Sequence, residues 1–252
     1  IERDLMKRTK IIRIVDLFSG LHSWTSYFRP RSIPGVEIRI FSIDNNEEYS
    51  HNTSHIGSVL DLDPGVIIEH LGGYPDLFFA SPPCTTFSVA SIGYHWTGGF
   101  KGYVPKTEAA IEGMALLDAT LDILDELLIW NPLMVYFVEN PRGMMRMQPR
   151  LKQYPRRTVW YCRYGETQGV KRAKPTDIWS NSPNWISRPE CSNGNPDCDH
   201  VRSPRGTTTG TQSLKGNANR SLIPVELTDE IGASFVYYWL HGESAKTWGT
   251  LV

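Results

Sequence analysis

The chain has 252 residues, 40% hydrophobic and 21% charged, which is enough for a large core and ordinary for one soluble globular enzyme domain. Lys and Arg number 26 against 27 Asp and Glu, so a net charge of −1 excludes a uniformly basic or acidic polypeptide. No apolar run suits a membrane span, Ile1 to Lys10 is too polar for a signal peptide, and four scattered cysteines make no secreted disulfide framework, so a reducing cytoplasmic location without a membrane partner is expected.

Strand-like and helix-like segments alternate along the chain, which predicts a three-layer α/β sandwich around a mostly parallel sheet. The first strand is expected over 11–17, a β-branched run that feeds the turn Phe18-Ser19-Gly20, and it reads as the start of a ligand-binding loop. A second strand over 37–43 ends on Asp44-Asn45, where an acid is placed to hold the vicinal hydroxyls of a ribose. Strands are expected next over 57–60 and 76–80. The latter runs into Ser81-Pro82-Pro83-Cys84-Thr85-Thr86-Phe87-Ser88. Two prolines fix their own φ and remove two backbone donors, so Cys84 is mounted on a stiff loop, as a nucleophile requires; the plainer reading is a buried structural cysteine.

Residues 88–106, rich in Gly, Ser and aromatics, read as a loop able to close over a substrate. From Thr107 to Trp130, Ala110, Met114, Leu117, Leu121, Leu124 and Leu128 recur at helical spacing, with Thr107 as cap, and they are expected to be core. A strand over 133–139 ends on Glu139, with Pro141 to stop pairing, and further strands are expected over 157–163 and 176–179. Between 182 and 219 apolar periodicity gives way to Pro, Gly, Asn, Ser and Thr. Cys191, Cys198 and His200 in this segment, with Cys162 as a fourth ligand, offer a structural zinc ion its donors; loop thiols and a surface histidine are the alternative. Charge is uneven: from Asn140 to Arg220 there are 15 Lys and Arg against 5 Asp and Glu, a basic half suited to phosphate contacts or simply to a solvated face.

In this order, Asp16-Leu17-Phe18-Ser19-Gly20, Pro83-Cys84 with Phe87-Ser88, Glu139-Asn140-Pro141 and Arg220-Ser221-Leu222-Ile223-Pro224-Val225-Glu226 resemble the motifs of the DNA cytosine-5 methyltransferase family. The resemblance spans about 11–226 and implies a Rossmann-like S-adenosylmethionine-dependent methyltransferase fold. It implies catalytic domain 1–181, a short target-recognition insert 182–219 and a C-terminal helix within 220–252. It further implies that Cys84 adds to C6 of a flipped cytosine, that Glu139 protonates N3, and that Arg172 reaches the base or its phosphate. S-adenosylmethionine is the implied methyl donor, with Asp16, Phe18, Gly20 and His22 near its methionine part, Asp44 and Asn45 at the ribose, Asp61 at the adenine amino group and Pro82 beside it. Asp61 reads equally as a loop aspartate capping the next element. The implied partner is DNA, double-stranded by expectation, with RNA left open.

Two departures stand out. His22 occupies a position where a second small residue is expected, and Gln168-Gly169-Val170-Lys171-Arg172 matches the family's Q-x-R-x-R only loosely, with Val170 in place of an arginine. A different S-adenosyl-type donor, or a non-catalytic DNA-binding or partner subunit of this fold, are the alternatives; retention of both Cys84 and Glu139 speaks against the second.

Overall fold

A computed structural model of the chain describes residues 9–89, 91–98, 103–167, 169–200 and 217–242. Five strands come first or second in a chain of β-α alternation: β1 (Lys10–Leu17), β2 (Val36–Asp44), the two-residue β3 (His55–Ile56), β4 (Leu77–Ala80) and, after a small antiparallel hairpin of β5 (Trp96–Thr97) and β6 (Val104–Pro105), β7 (Val135–Pro141). Two more, β8 (Arg156–Trp160) and β9 (Pro175–Ser180), complete a seven-stranded sheet of order β3-β2-β1-β4-β7-β9-β8. The strands from β3 to β7 are parallel and β9 runs against β7 and β8.

The helices are α1 (Pro64–Leu71), the single turn α2 (Ile92–His95), α3 (Glu108–Trp130), α4 (Asn217–Ser221) and α5 (Val225–His241). The sheet is buried on both faces because its strands are apolar in both alternating sets. Val15, Leu17, Phe78, Ala80, Tyr136 and Val138 pack with α1 and α3 on one side. Ile12, Ile14, Leu77, Phe79, Val135 and Phe137 pack with Trp24, Phe28 and α5 on the other. The expected three-layer α/β/α sandwich is therefore present, with Leu117, Leu121 and Leu124 of α3 fully buried and Thr107 capping through the Ala110 N–H at 3.2 Å.

Three expectations are corrected. The strand placed at 57–60 is instead β3 followed by a 3-10 turn, Val59–Asp61, because Ser58 accepts the Leu60 N–H at 3.2 Å and turns the chain. The residue capping α1 is Asp63, which accepts the Gly65 N–H at 2.7 Å, and not Asp61. The strand expected over 157–163 stops at Trp160 and becomes a 3-10 turn, Tyr161–Tyr164. Of the insert expected over 182–219, residues 201–216 lie outside the described residues, as do 243–252 of the C-terminal segment. Among the described residues no helix is long and apolar enough to cross a membrane.

Sheet order reverses between β1 and β4, so the segments leaving β1, β2, β4 and β7 emerge along one edge, where open α/β sheets bind ligands. The loop after β4 is pinned from two sides there. Phe87 O accepts the Met144 N–H at 2.7 Å, and Gly143 lies so close that a Cβ would stand 2.0 Å from Phe87 O. Since the clash is with backbone, Gly143→Ala should destabilise by about 2 kcal/mol or more, the order of an overpacked core, and lower the urea midpoint accordingly; an unchanged midpoint would show the loop to be loosely held.

Candidate active site

The turn after β1 takes left-handed backbone at alternate residues, with φ of 59° at Phe18, 44° at Gly20 and 57° at His22. The preference for a small residue at position 22 thus has a physical basis, and His22 adopts the conformation at a cost of about 1 kcal/mol. It is held by Arg29, whose Nη2 donates to Nδ1 at 3.0 Å, so the ring proton sits on Nε2, which is buried without a partner. Burial first, and Arg29 second, hold the His22 pKa down to about 4. The same guanidinium donates through Nε to Thr25 Oγ1 at 3.0 Å, and Thr25 donates to Asp16 Oδ2 at 3.2 Å. Burial pushes the Asp16 pKa up to about 7 against the opposing Thr25 bond and Arg29 charge. Asp16 Oδ1, Ser19 Oγ and His22 Nε2 all lack partners. Buried polar atoms without partners are costly, and three in one turn at the sheet's ligand edge suit a polar ligand.

Asp44, at the end of β2, braces this turn: Oδ2 accepts the Gly20 N–H at 2.9 Å and Oδ1 the Asn46 N–H at 2.9 Å. Each oxygen keeps a lone pair for a hydroxyl. Asn45 and Asp61 are exposed at the same edge. Phe18 packs against the core on the α1/α3 side.

Cys84 follows β4. Its carbonyl accepts the N–H groups of Phe87 and Ser88 at 3.1 and 3.0 Å, which closes the loop into a turn, and the preceding Pro82 carbonyl accepts Nδ2 of the buried Asn140 at 2.8 Å. Asn140 thereby ties the β4 and β7 ends together. Burial raises the Cys84 pKa; Lys174 opposes this and Glu139 adds to it. Glu139, on the α5 face of β7, is 5% exposed and accepts the Tyr161 O–H at 2.9 Å. Lys174 acts by its charge on both the thiol and the carboxylate. It is buried, stands 4.7 Å over the Tyr161 ring, donates to the Arg220 carbonyl at 3.1 Å, and is pushed below the ordinary lysine range by burial while Glu139 and Cys84 pull it back.

Lys174 was not singled out in the sequence. Arg172, which was, is 1% exposed and donates through Nη2 to the Leu222 carbonyl at 3.1 Å, while its Nε and Nη1 have no partner. It lies 5.9 Å from the Tyr161 ring, and the charge acting on the thiol comes from Lys174 and Arg220 instead. The signal available was Lys174's place two residues beyond Arg172 and directly before the buried strand β9.

The basic half is less free than its composition implies. Arg146 and Arg156 both pair with the buried Asp177, at 2.7 and 3.1 Å; Arg150 pairs with Asp122 of α3 at 2.9 Å; and Arg188 pairs with Glu226 at 2.8 Å. Arg142 and Arg157 are instead stacked over Trp160 and Trp185, at 5.5 and 5.9 Å.

Beyond Lys174's end of the site, Cys162, Cys191, Cys198 and His200 come together, with their candidate ligand atoms all within 4.8 Å of one another. His200 Nδ1 lies 3.8 Å from Cys191 Sγ, and its Nε2 accepts the Gly194 N–H at 3.1 Å. The grouping expected from the sequence is thus present as a cluster.

Fold and site together define a Rossmann-like α/β protein in which the polar turn after β1 shares one sheet edge with a cysteine loop and a buried carboxylate. No protein-family profile matches the chain. It is 27% identical over 234 residues to a probable DNA (cytosine-5)-methyltransferase of Frog virus 3 (isolate Goorha), covering 86% of this chain and 99% of that protein. Among solved structures it is similar to the Entamoeba histolytica methyltransferase EhMeth (17% identity, TM-score 0.47, 72% of this chain and 58% of that one). A mutant of Spodoptera frugiperda DNMT2 is also similar (16% identity, TM-score 0.40, 80% of this chain and 57% of that one). The chain is thus a relative of DNA (cytosine-5)-methyltransferases, in line with its motifs.

The raised Asp16 pKa has a signed consequence. Below its ordinary value of 3.8 the carboxyl is protonated whether folded or unfolded; as pH rises toward about 7 only the unfolded chain ionises freely, so this group's contribution to stability falls over that interval and levels off above it. Asp16→Asn should therefore gain melting temperature relative to the parent as pH rises from 4 to 7, without ligand; a difference independent of pH would show Asp16 to be ionised throughout.

Proposed function

We propose that the chain transfers a methyl group from S-adenosylmethionine to C5 of a cytosine flipped out of duplex DNA, by way of a covalent bond between Cys84 and C6. The convergence of Cys84, Glu139 and Lys174 beside the polar turn of β1 carries the reading. The viral relative over nearly all of its length supports it.

The residues present fit the donor: a ligand carboxylate would take the unpartnered Nε2–H of His22, and the remaining lone pairs of Asp44 suit vicinal hydroxyls. Bound there, S-adenosylmethionine supplies an electrophilic methyl group. Cytosine C5 is a poor nucleophile, so Sγ of Cys84 must first bond to C6, which moves an electron pair toward C5 and N3. Glu139 holds a proton for N3, and Tyr161 fixes the carboxyl by its O–H. Lys174 favours the thiolate that burial disfavours. After methylation, loss of the C5 proton expels Cys84 and restores the ring. The β5–β6 hairpin is tied to the Cys84 loop, since Trp96 Nε1 donates to Thr86 O at 2.7 Å, which supports a role for this segment in covering the flipped base. Residues 182–219 serve as a short target-recognition insert, and the Cys162, Cys191, Cys198 and His200 cluster holds structural zinc.

Intact-mass spectrometry with S-adenosylmethionine and oligonucleotides carrying 5-fluorocytosine tests this directly, because C5 fluorine cannot leave after the thiol adds. The expected product is a protein–DNA adduct one methyl heavier, absent in Cys84→Ala and formed at least about 100-fold more slowly in Glu139→Gln and Lys174→Gln. No adduct across a broad pool of sequences would overturn the reading.

A further inference from the structure

The metal-ligand cluster and the catalytic carboxylate are joined through consecutive residues. Tyr161 and Cys162 sit side by side in the 3-10 turn that follows β8, and they pack into two separate clusters. The Tyr161 ring packs with the α5-side core and its O–H reaches Glu139 at 2.9 Å. Cys162 packs with Trp160, Ala173 and Cys191 in a separate small cluster. A second link runs beside it: Lys171, next to Arg172, pairs with Asp199, which lies between Cys198 and His200. A third is Arg163 Nη2, which donates to the Glu190 carbonyl at 3.2 Å, next to Cys191.

The donor set is that of a closed structural zinc site, three sulfurs and one imidazole. Ligand atoms around tetrahedral zinc stand about 3.5–3.8 Å apart; the 3.8 Å between Cys191 Sγ and His200 Nδ1 is already there, and the widest separation, 4.8 Å, needs to close by about an ångström. Asn195 Nδ2 donates to Cys191 Sγ at 3.5 Å, the kind of amide contact that orients a metal-bound sulfur. Lys171 and Arg163 bring positive charge to a centre of three thiolates and one divalent ion, whose net charge is −1. Ligation through either His200 nitrogen gives up the Gly194 contact, because Nε2 then either binds the metal or carries the proton. The surrounding segment has little core of its own; apart from Cys191 and His200 it is half-buried or exposed over 186–200, and a cross-link would stabilise it more than packing does.

We infer that Cys162, Cys191, Cys198 and His200 bind one zinc ion that docks the 186–200 segment on the catalytic domain and, through the Tyr161-Cys162 turn, holds the Tyr161 hydroxyl on Glu139. Tyr161 is then a positioning residue. The metal site stands on the cluster's geometry alone, whereas its effect on catalysis rests on the methyltransferase reading above.

Elemental analysis of the purified, reduced chain should find one zinc per chain, and cobalt substitution should give the intense visible absorption of a tetrahedral thiolate site. Cys198→Ser should lose both. Tyr161→Phe should retain both. Removing the metal with a chelator should speed amide hydrogen exchange in the 156–164 and 135–141 peptides, and in the 5-fluorocytosine assay should lower the adduct rate by on the order of 10-fold while leaving half-saturation by S-adenosylmethionine unchanged. Absence of metal with no cobalt spectrum, or a disulfide among the three cysteines in the reduced preparation, overturns the site. Metal present but with exchange in both peptides unmoved by its removal overturns the coupling. Metal and coupling without any adduct would instead place the fault in the methyltransferase reading.

Discussion

A carboxylate buried at the end of a central strand dictates much of what surrounds it. Glu139 sits on β7 between two neighbours, with almost no access to water, and an isolated buried charge of that kind is not tolerated. Its partners are drawn from far along the chain: a phenol from the turn after β8 and an ammonium from the residue before β9. Those two strands run antiparallel to one another at the far edge of the sheet, so their proximal ends meet at the carboxyl end of β7. The antiparallel edge therefore does more than lengthen the sheet. It returns Tyr161 and Lys174 to one point.

Rigidity at the thiol arises by a different route. Cys84 has no helix or strand of its own, and its place is set by backbone contacts at both ends of its loop, Pro82 O on Asn140 and Phe87 O on Met144 N–H. Both anchors belong to the segment that leaves β7, immediately beyond Glu139. Thiol and carboxylate are thus positioned by one continuous stretch, 139–144, and a shift of either moves the other. The first turn, by contrast, carries strain: His22 in left-handed backbone and three polar atoms without partners mark it as shaped around something absent from the polypeptide.

Much of this was legible in the sequence. The strand ending on Asp44, the α3 core stripe and the stiff Cys84 loop follow from periodicity and from proline, because each depends on residues close along the chain, whereas the strand expected to stop at Glu139 runs on to Pro141, which pairs with Thr176 of the antiparallel β9. The 3-10 turn at Val59–Asp61 was not, since the Ser58 cap outcompetes the β-propensity of the short Val59-Leu60 pair. Lys174 was hidden for another reason: a lysine before a proline reads as a solvated loop cation, and only the three-dimensional meeting of β7, β8 and β9 reveals it as buried beside a thiol and a carboxylate. The arginines of the basic half were misleading in the opposite sense, since acids far away in sequence, Asp118, Asp122 and Asp125 of α3 and Glu226 and Glu230 of α5, neutralise several of them.

Those pairings narrow the surface left for a nucleic acid. Arg150 and Arg188 are committed to helices on opposite layers of the sandwich, and Arg146 and Arg156 to Asp177 within the sheet. Arg142 is stacked on the Trp160 indole rather than tied to a carboxylate among the described residues. Arg157, over Trp185, does the same at the start of the segment that carries Cys191, Cys198 and His200. Among the described residues, Arg142 and Arg157 are thus held over indoles, while the arginines paired with acids serve the fold.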